Sequence, residues 1–405
     1  MRILILTQYY PPEIGAPQNR LHELAIRLKN KGVQIEVLTA LPNYPKMEVF
    51  KDYRDKQRRE ETIEGITVHR SWIYVSASKS IVARLLNYFS FVWSSYWRGR
   101  RLQSFDYLMV ESPPLFLGYS AIALSKKLNA KLIFNVSDLW PESAEKLGLV
   151  TNKNLLNMAY KLEKKCYQAS TLITGQTQGI VNDIKQRFPA KEVSWLPNGV
   201  DISFYNPEKI PDSDFRQVNG FKDEDIIFFY GGILGHAQGL EIIIEAAREL
   251  ENTHAQFVIQ GAGPEKEKLV TLHKKYALKN IHFLEPVTKS EMPGILKSVD
   301  IAIVPLKKLD LFKGAIPSKI FEALAMKKPL LLGVDGEARK HFIENAQAGL
   351  FYTPEDIDSL KTQVLYFLEN PDETKKMGDR ARNYVADVFD RNKIAEGLYD
   401  ELQNM

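Results

Sequence analysis

Two doubly wound α/β units are what this sequence predicts, on three observations. Short apolar runs alternate with amphipathic stretches of helical period. The order strand, loop, helix, strand starts at residue 3 and starts again at residue 226, and the stretch between the halves, 207–225, is rich in Pro, Asp, Asn and Gly. At 405 residues the chain is too long for one core, which sets an expectation of two domains of about 200 residues each.

Residues 3–7 are apolar on both faces, as a buried parallel strand requires. A turn-rich loop, 8–17, leads to a helix over about 18–31, which Gly32 ends, and residues 33–39 form the next strand. That βαβ unit fixes the class. The loop lacks the Gly-rich dinucleotide fingerprint, so a nicotinamide enzyme is disfavoured while the architecture is not. Further strands fall at 66–71, 107–111, 131–136, 171–174 and 192–196, and a tight turn occupies 196–201. The linker is expected near 200–215. In the second half, strands are expected at 226–230, 256–260, 281–283, 301–304 and 330–332, a helix at 240–250, and a last helix from about 381 to 402, long enough to cross back over the first domain. The expected division is 1–200, 201–380 and a C-terminal helix in 381–405.

Composition excludes several classes of function. A net charge of +4 argues against a dedicated nucleic-acid binder. A single cysteine, Cys166, rules out an internal disulfide and a Cys-based zinc cluster, and the seven His show no metal-ligand spacing. The first apolar run reaches Gln8 too soon for a signal peptide, and no window of about 18 residues is free of charge. A cytoplasmic protein without a membrane span is the expectation.

The chemistry centres on a helix over 317–326. Pro317 suits its first turn, Ile320, Phe321, Leu324 and Ala325 share one face, and Pro329 stops it. Its amino end is suited to a phosphate, to which Ser318 adds a hydroxyl and Lys319 a charge; Glu322, one turn on, can accept two hydrogen bonds from a ribose diol. An amphipathic helix with a solvated Glu is the other reading of the same spacing. The loop 231–239 carries four glycines, Gly231, Gly232, Gly235 and Gly239, where a strand-to-helix turn needs one or two, so a phosphate or sugar ring is expected on it, with His236 facing the phosphate. Gly261 and Gly263 end the next strand of the same sheet. In the first half Asp138 and Glu142 either bind sugar hydroxyls and assist proton transfer or cap the helix that follows. His22, on a helix of mixed pattern, is read as structural. Residues 72–101 interleave Trp72, Tyr74, Tyr88, Phe89, Phe91, Trp93, Tyr96 and Trp97 with Lys79, Arg84, Arg98, Arg100 and Arg101. A core helix would explain the apolar half; the flanking cations point instead to an anionic membrane surface.

These motifs taken together, with Pro197-Asn198-Gly199-Val200-Asp201, Pro42-Asn43-Tyr44-Pro45, Asp138-Leu139-Trp140-Pro141-Glu142-Ser143 and the Tyr10-Pro11-Pro12-Glu13 run, resemble the retaining GT-B glycosyltransferases of family 4 over essentially the full length. The likeness is to the WbuB-like branch of O-antigen and capsule assembly. The resemblance implies two Rossmann-like domains facing a central cleft, a UDP-sugar donor on the second and a polyprenyl-diphosphate-linked saccharide acceptor on the first, peripheral attachment to the inner face of the cell membrane through 72–101, and no metal or other cofactor. It implies donor contacts at Gly15, Gly231, Gly232, His236, Gln238, Gly261, Gly263, Val287, Pro317, Ser318, Lys319, Ile320 and Glu322, and catalytic roles for Asp138, Glu142 and Lys319. The chain departs from the family pattern in four places. Gly314 stands where a first glutamate is usual, Gly232 and Gln238 replace the Arg and Lys of the phosphate loop, and Ser137 and Asp138 lie where a histidine is common. The lost glutamate suits a deoxy donor, such as an N-acetylated deoxyhexosamine of the L-FucNAc kind. Two rivals remain at this stage: a UDP-sugar 2-epimerase, and a non-catalytic nucleotide-sugar-binding membrane partner.

Overall fold

A computed structural model describes residues 1–54, 59–78, 80–148 and 150–405. The chain divides into two compact units, one of Met1–Asn198 with Ile394–Met405 and one of Gly199–Lys393. The first division falls just before the 200–215 stretch, whose residues belong to the second unit.

The first unit is built on eight strands, β1 (Arg2–Leu6), β2 (Gln34–Ala40), β3 (Glu60–Ile63), β4 (Ile66–Ser71), β5 (Tyr107–Ser112), β6 (Lys131–Val136), β7 (Leu172–Gly175) and β8 (Val193–Trp195), in the order β3-β4-β2-β1-β5-β6-β7-β8. All pairs are parallel except β3 with β4. The order reverses between β1 and β5, so the carboxyl ends of those two strands flank the crevice where open α/β sheets bind ligands. Leu4, Leu6, Leu108 and Val110 pack one face of the sheet; Ile3, Ile5, Tyr107 and Met109 pack the other. Helix α1 (Ala16–Asn30) returns from β1 to β2, and helix α2 (Ile81–Gly99) leads to β5. The C-terminal segment joins this unit: Ala395, Leu398 and Leu402 enter the core with Ile3, Leu24 and Tyr107, and the Tyr107 hydroxyl donates to the Leu402 carbonyl at 2.7 Å.

The second unit has six parallel strands, β9 (Ile226–Gly231), β10 (Ala255–Gln260), β11 (Ile281–Leu284), β12 (Ile301–Pro305), β13 (Leu330–Gly333) and β14 (Gly349–Phe351), ordered β11-β10-β9-β12-β13-β14. This is the doubly wound order, with its switch point between β9 and β12. The fold class is therefore as the sequence predicts: two Rossmann-like sheets.

Three elements differ from the sequence reading. β3 was not expected, because Glu60-Glu61-Thr62-Ile63 is an edge strand with mostly polar residues; β14 was not expected because it is only three residues long. The single helix expected over 381–402 is two, Pro371–Val388 and Arg391–Gln403. The chain turns at Phe389 and Asp390, where Asp390 pairs with Val200 in a β-bridge and its carboxylate accepts the Asn392 N–H at 3.0 Å.

Candidate active site

In the second unit, the carboxyl end of β9 runs into Gly231 and Gly232, and the carboxyl end of β10 into Gly261. The ladder continues past the strands: Gly232 N–H donates to Gln260 O at 2.9 Å, Leu234 N–H to Ala262 O at 2.9 Å, and Gly261 N–H to Leu284 O at 3.1 Å. The two loops are thus locked together, and this explains two of the glycines. Gly261 has φ +144, and a Cβ there would collide with the Gly232 carbonyl; a Cβ on Gly263 would collide with the Leu234 carbonyl.

Lys319 opens the Lys319–Ala325 helix, whose Ile320, Phe321, Leu324 and Ala325 are buried, as the sequence requires. The buried stripe fixes the helix against the sheet and turns the Lys319 stem towards β9. Its ammonium lies 3.6 Å from the centroid of the Tyr230 ring, and a Cβ on Gly232 would sit 2.8 Å from it. Gly232, with φ +145, leaves room for this cation directly over the loop. Among the described residues no carboxylate lies within ion-pair distance of Lys319. Burial pushes its ammonium down to about 7, against the pull of the Glu322 carboxylate. Glu322 is pushed the other way, upward, by burial, while Arg391, Lys289, a hydrogen bond from Tyr205 and Lys319 oppose the rise. A partly desolvated cation and a carboxylate one helical turn on, beside a glycine-lined shelf, make a place for a group with a double negative charge and neighbouring hydroxyls.

Several main-chain amides of the loop and of the helix start are already engaged within the protein. Gly232 and Leu234 already donate across the loops, and Ile320 and Phe321 donate to Pro317 O at 3.0 Å and Ser318 O at 3.1 Å. The surplus of glycines in 231–239 also has packing causes. A Cβ on Gly231 would press into the Phe229 ring, one on Gly235 would meet the Gln238 amide, and Gly239 is left-handed at φ +58. His236, expected to face a phosphate, has a side chain 75% exposed, with Nε2 2.8 Å from the Lys307 ammonium. Gln238 belongs to the same loop, Val287 to the loop after β11, and Pro317 and Ser318 to the turn before the helix. Nothing lies within 4 Å of where a Gly314 side chain would begin.

The remaining candidates are in the first unit. Gly15 precedes α1 in extended backbone, which any residue adopts, with the Gln18 side chain folded over it. Asp138 and Glu142 share one turn after β6. Asp138 accepts from the Ser143 hydroxyl, Glu142 pairs with Lys146 at 2.5 Å, and neither caps a helix through its side chain. His22 accepts or donates at 2.8 Å to the Tyr10 hydroxyl. Sequence reasoning missed a buried network at the carboxyl ends of β5, β6 and β7. Arg20 donates to Glu111 at 2.6 Å and to Ser137 at 2.7 Å, Thr174 donates to Asn135 at 2.7 Å, and Asn135 and Ser137 both donate to Glu111. Its hydrogen-bonded pairs are 24 to 117 residues apart, from Asn135 with Glu111 to Arg20 with Ser137, so no local spacing could announce them.

Residues 15–199 match the glycosyl transferase 4-like domain and residues 211–384 match the glycosyl transferases group 1 domain. The chain belongs to the family 4 GT-B glycosyltransferases. It is similar to the putative colanic acid biosynthesis glycosyl transferase WcaI of Escherichia coli K12, 25% identical over the whole of both chains. Among solved structures it is similar to HepE of Anabaena in complex with UDP and glucose, with TM-score 0.72, 18% identity and full coverage of both chains. It also resembles the sucrose-phosphate synthase of Thermosynechococcus elongatus, with TM-score 0.73, 15% identity and coverage of 100% of this chain and 99% of that one. This glycosyltransferase thus has the GT-B fold.

Helix α2 of the aromatic segment has two distinct faces. Asn87, Phe91, Ser94 and Ser95 are buried against the unit, which the core-helix reading requires. Val82, Leu86, Phe89, Trp93 and Trp97, spaced 4, 3, 4 and 4 apart, are 62, 51, 43, 62 and 40% exposed, which that reading does not explain. Arg101 is exposed just past the end of the helix, and the Arg100 guanidinium lies 3.9 Å from the Trp97 ring centroid; Arg84 is exposed but lies about half a turn round the helix from the stripe. Lys79 lies outside the described residues. Among the described residues no helix is long and apolar enough to cross a membrane.

Proposed function

We propose that this glycosyltransferase moves a sugar from a UDP-sugar, with retention, to a polyprenyl-diphosphate-linked saccharide in surface polysaccharide assembly, within the WbuB-like branch. The observation that carries the donor half is the unpaired Lys319 ammonium above Gly232 and the Tyr230 ring. It supplies one compact positive charge where the diphosphate of the donor would lie, and Glu322 accepts from the ribose hydroxyls. In the transfer step the bond from the anomeric carbon to the diphosphate oxygen breaks and the bond to the acceptor oxygen forms on the same face. The acceptor proton passes to the departing diphosphate. Charge grows on that leaving group, and a cation fixed in advance stabilises it more than solvent water would. No metal or other cofactor has a part in this scheme.

The relative's printed role in colanic acid biosynthesis and the UDP complex of HepE support the pathway class and the nucleotide. The open space at Gly314 supports a donor sugar that needs no carboxylate partner at that ring position, as in an N-acetylated deoxyhexosamine. The exposed stripe of α2 supports attachment to the inner face of the membrane, where rings enter the headgroup layer and arginines meet anionic lipid.

Incubation with radiolabelled UDP-sugars, with and without a polyprenyl-lipid extract, tests the proposal. Label moving into the lipid fraction only when the extract is present is the expected result. An isomerised UDP-sugar without extract, or UDP-sugar binding with no product in either arm, would overturn it.

A further inference from the structure

Two motifs of the first unit have no part in the donor site: the Tyr9-Tyr10-Pro11-Pro12-Glu13 run after β1 and Pro42-Asn43-Tyr44-Pro45 after β2. They converge on one buried carboxylate. Glu13 is 1% exposed, and it accepts the N–H groups of Asn43 and Tyr44 at 2.8 Å through Oε1 and of Tyr10 at 3.2 Å through Oε2. This clamp sets the Tyr9 and Tyr44 rings 5.9 Å apart at 63°, beside the switch point of the sheet, with Tyr44 40% exposed.

The hydrogen bonds under these rings run in one direction. Asn87 of α2 donates its amide to the Tyr74 carbonyl at 2.7 Å, which fixes the Asn87 oxygen as the acceptor facing Gln8. Gln8 Nε2 donates to that oxygen at 2.9 Å and to the Tyr9 hydroxyl at 3.2 Å. Tyr9 Oη is therefore an acceptor within the protein, and its own proton has no acceptor among the described residues. Burial holds the phenol above its ordinary range, so it remains a donor at neutral pH. Gln8 Oε1 and Asn43 Oδ1, in the residues that adjoin the two rings, are buried without a hydrogen-bond partner.

We infer that Tyr9 and Tyr44 form a carbohydrate subsite for a neutral sugar ring of the acceptor, an inference that rests on the transferase reading above. The apolar face of the ring packs on Tyr44, and one ring or hydroxyl oxygen accepts from Tyr9. A sugar suits this arrangement because it combines a C–H face with closely spaced acceptors, and the site carries no free charge that would select an ion. Asn87 ties the subsite to α2, so the saccharide would be read close to the exposed stripe of the same unit.

Saturation-transfer NMR on the full chain tests this, with methyl α-glucoside, methyl α-galactoside and methyl N-acetyl-α-glucosaminide as probes and saturating UDP present to occupy the donor site. The expected result is transfer to the ring protons of at least one glycoside. The signal should fall to background in Tyr44→Ala, persist in Tyr44→Trp, and reflect about tenfold weaker binding in Tyr9→Phe. No transfer with the wild-type chain, or equal transfer in Tyr44→Ala, would overturn the subsite. Calorimetric titration of the same variants with UDP keeps the two readings apart: UDP affinity unchanged in Tyr44→Ala is expected, whereas a wild-type chain that fails to bind UDP contradicts the donor reading and leaves the glycoside signal to be judged by itself.

Discussion

At the scale of single residues, the proposed donor site depends on a lysine that burial strips of water and that has no carboxylate within ion-pair distance among the described residues. Because Lys319 sits at about 7 in the free protein and an adjoining diphosphate raises it, binding takes up a proton above that pH. UDP affinity should then fall as pH rises from about 7 to 9, by at most tenfold per unit, and be flat with respect to this group at lower pH. Calorimetry in two buffers of different ionisation enthalpy measures the uptake directly, and a proton count of zero at pH 8 would contradict it. In the proposed site Glu322 serves another part of the ligand, the ribose hydroxyls. Glu322→Ala should weaken UDP by about tenfold or more and leave inorganic diphosphate unaffected, a comparison that competitive titration settles. Glu13 is a structural counterpart. Losing a buried acceptor of three main-chain N–H groups costs about 3 kcal/mol, so Glu13→Ala should lower the melting temperature by several degrees in calorimetry. What was legible at this scale follows from sequence distance. Lys319 and Glu322 are one turn apart on a helix with a clear apolar stripe, whereas Tyr230, which receives the Lys319 ammonium, comes from another strand and cannot be paired with it by spacing. His236 is a similar case. Its place in a glycine loop was legible, whereas its contact with Lys307, 71 residues on, was not.

At the scale of elements, buried strands announced themselves because both faces are covered, which makes their runs largely apolar. β4 and β6 were bounded correctly from the sequence alone. The edge strand β3 pairs on one side only and carries Glu60 and Glu61 in ion pairs, which leaves no apolar run to find. The stripe on α2 was legible as composition but not as a face, since only burial shows which aromatics the unit covers. Replacing Trp93 and Trp97 together with Ser should abolish co-sedimentation with vesicles rich in anionic lipid, while the melting temperature stays within about 2 °C because both rings are largely outside the core. Equal sedimentation of the variant would remove the stripe from the membrane reading.

At the scale of the whole molecule, the two units are not simple halves of the chain. Residues 394–405 belong to the first unit, held by Ala395, Leu398 and Leu402 and by the Lys31 to Glu396 ion pair at 2.8 Å. Deleting residues 394–405 should therefore speed hydrogen exchange in β1, β2 and α1 and leave β9 and β10 protected, which mass spectrometry of exchanged peptides can follow. The sequence carried the doubly wound class and the presence of a helix at Lys319–Ala325. It did not carry the break at Phe389 and Asp390, because the bridge to Val200 that fixes the turn lies far away in the chain. The central claim is that the Lys319 side chain, rather than the amides of the glycine loop, holds the donor diphosphate. Titration of the full chain with UDP, wild type against Lys319→Met at pH 6.5, tests it most directly: a loss of affinity of about tenfold or more is the predicted result, and equal affinity for the two proteins would contradict it.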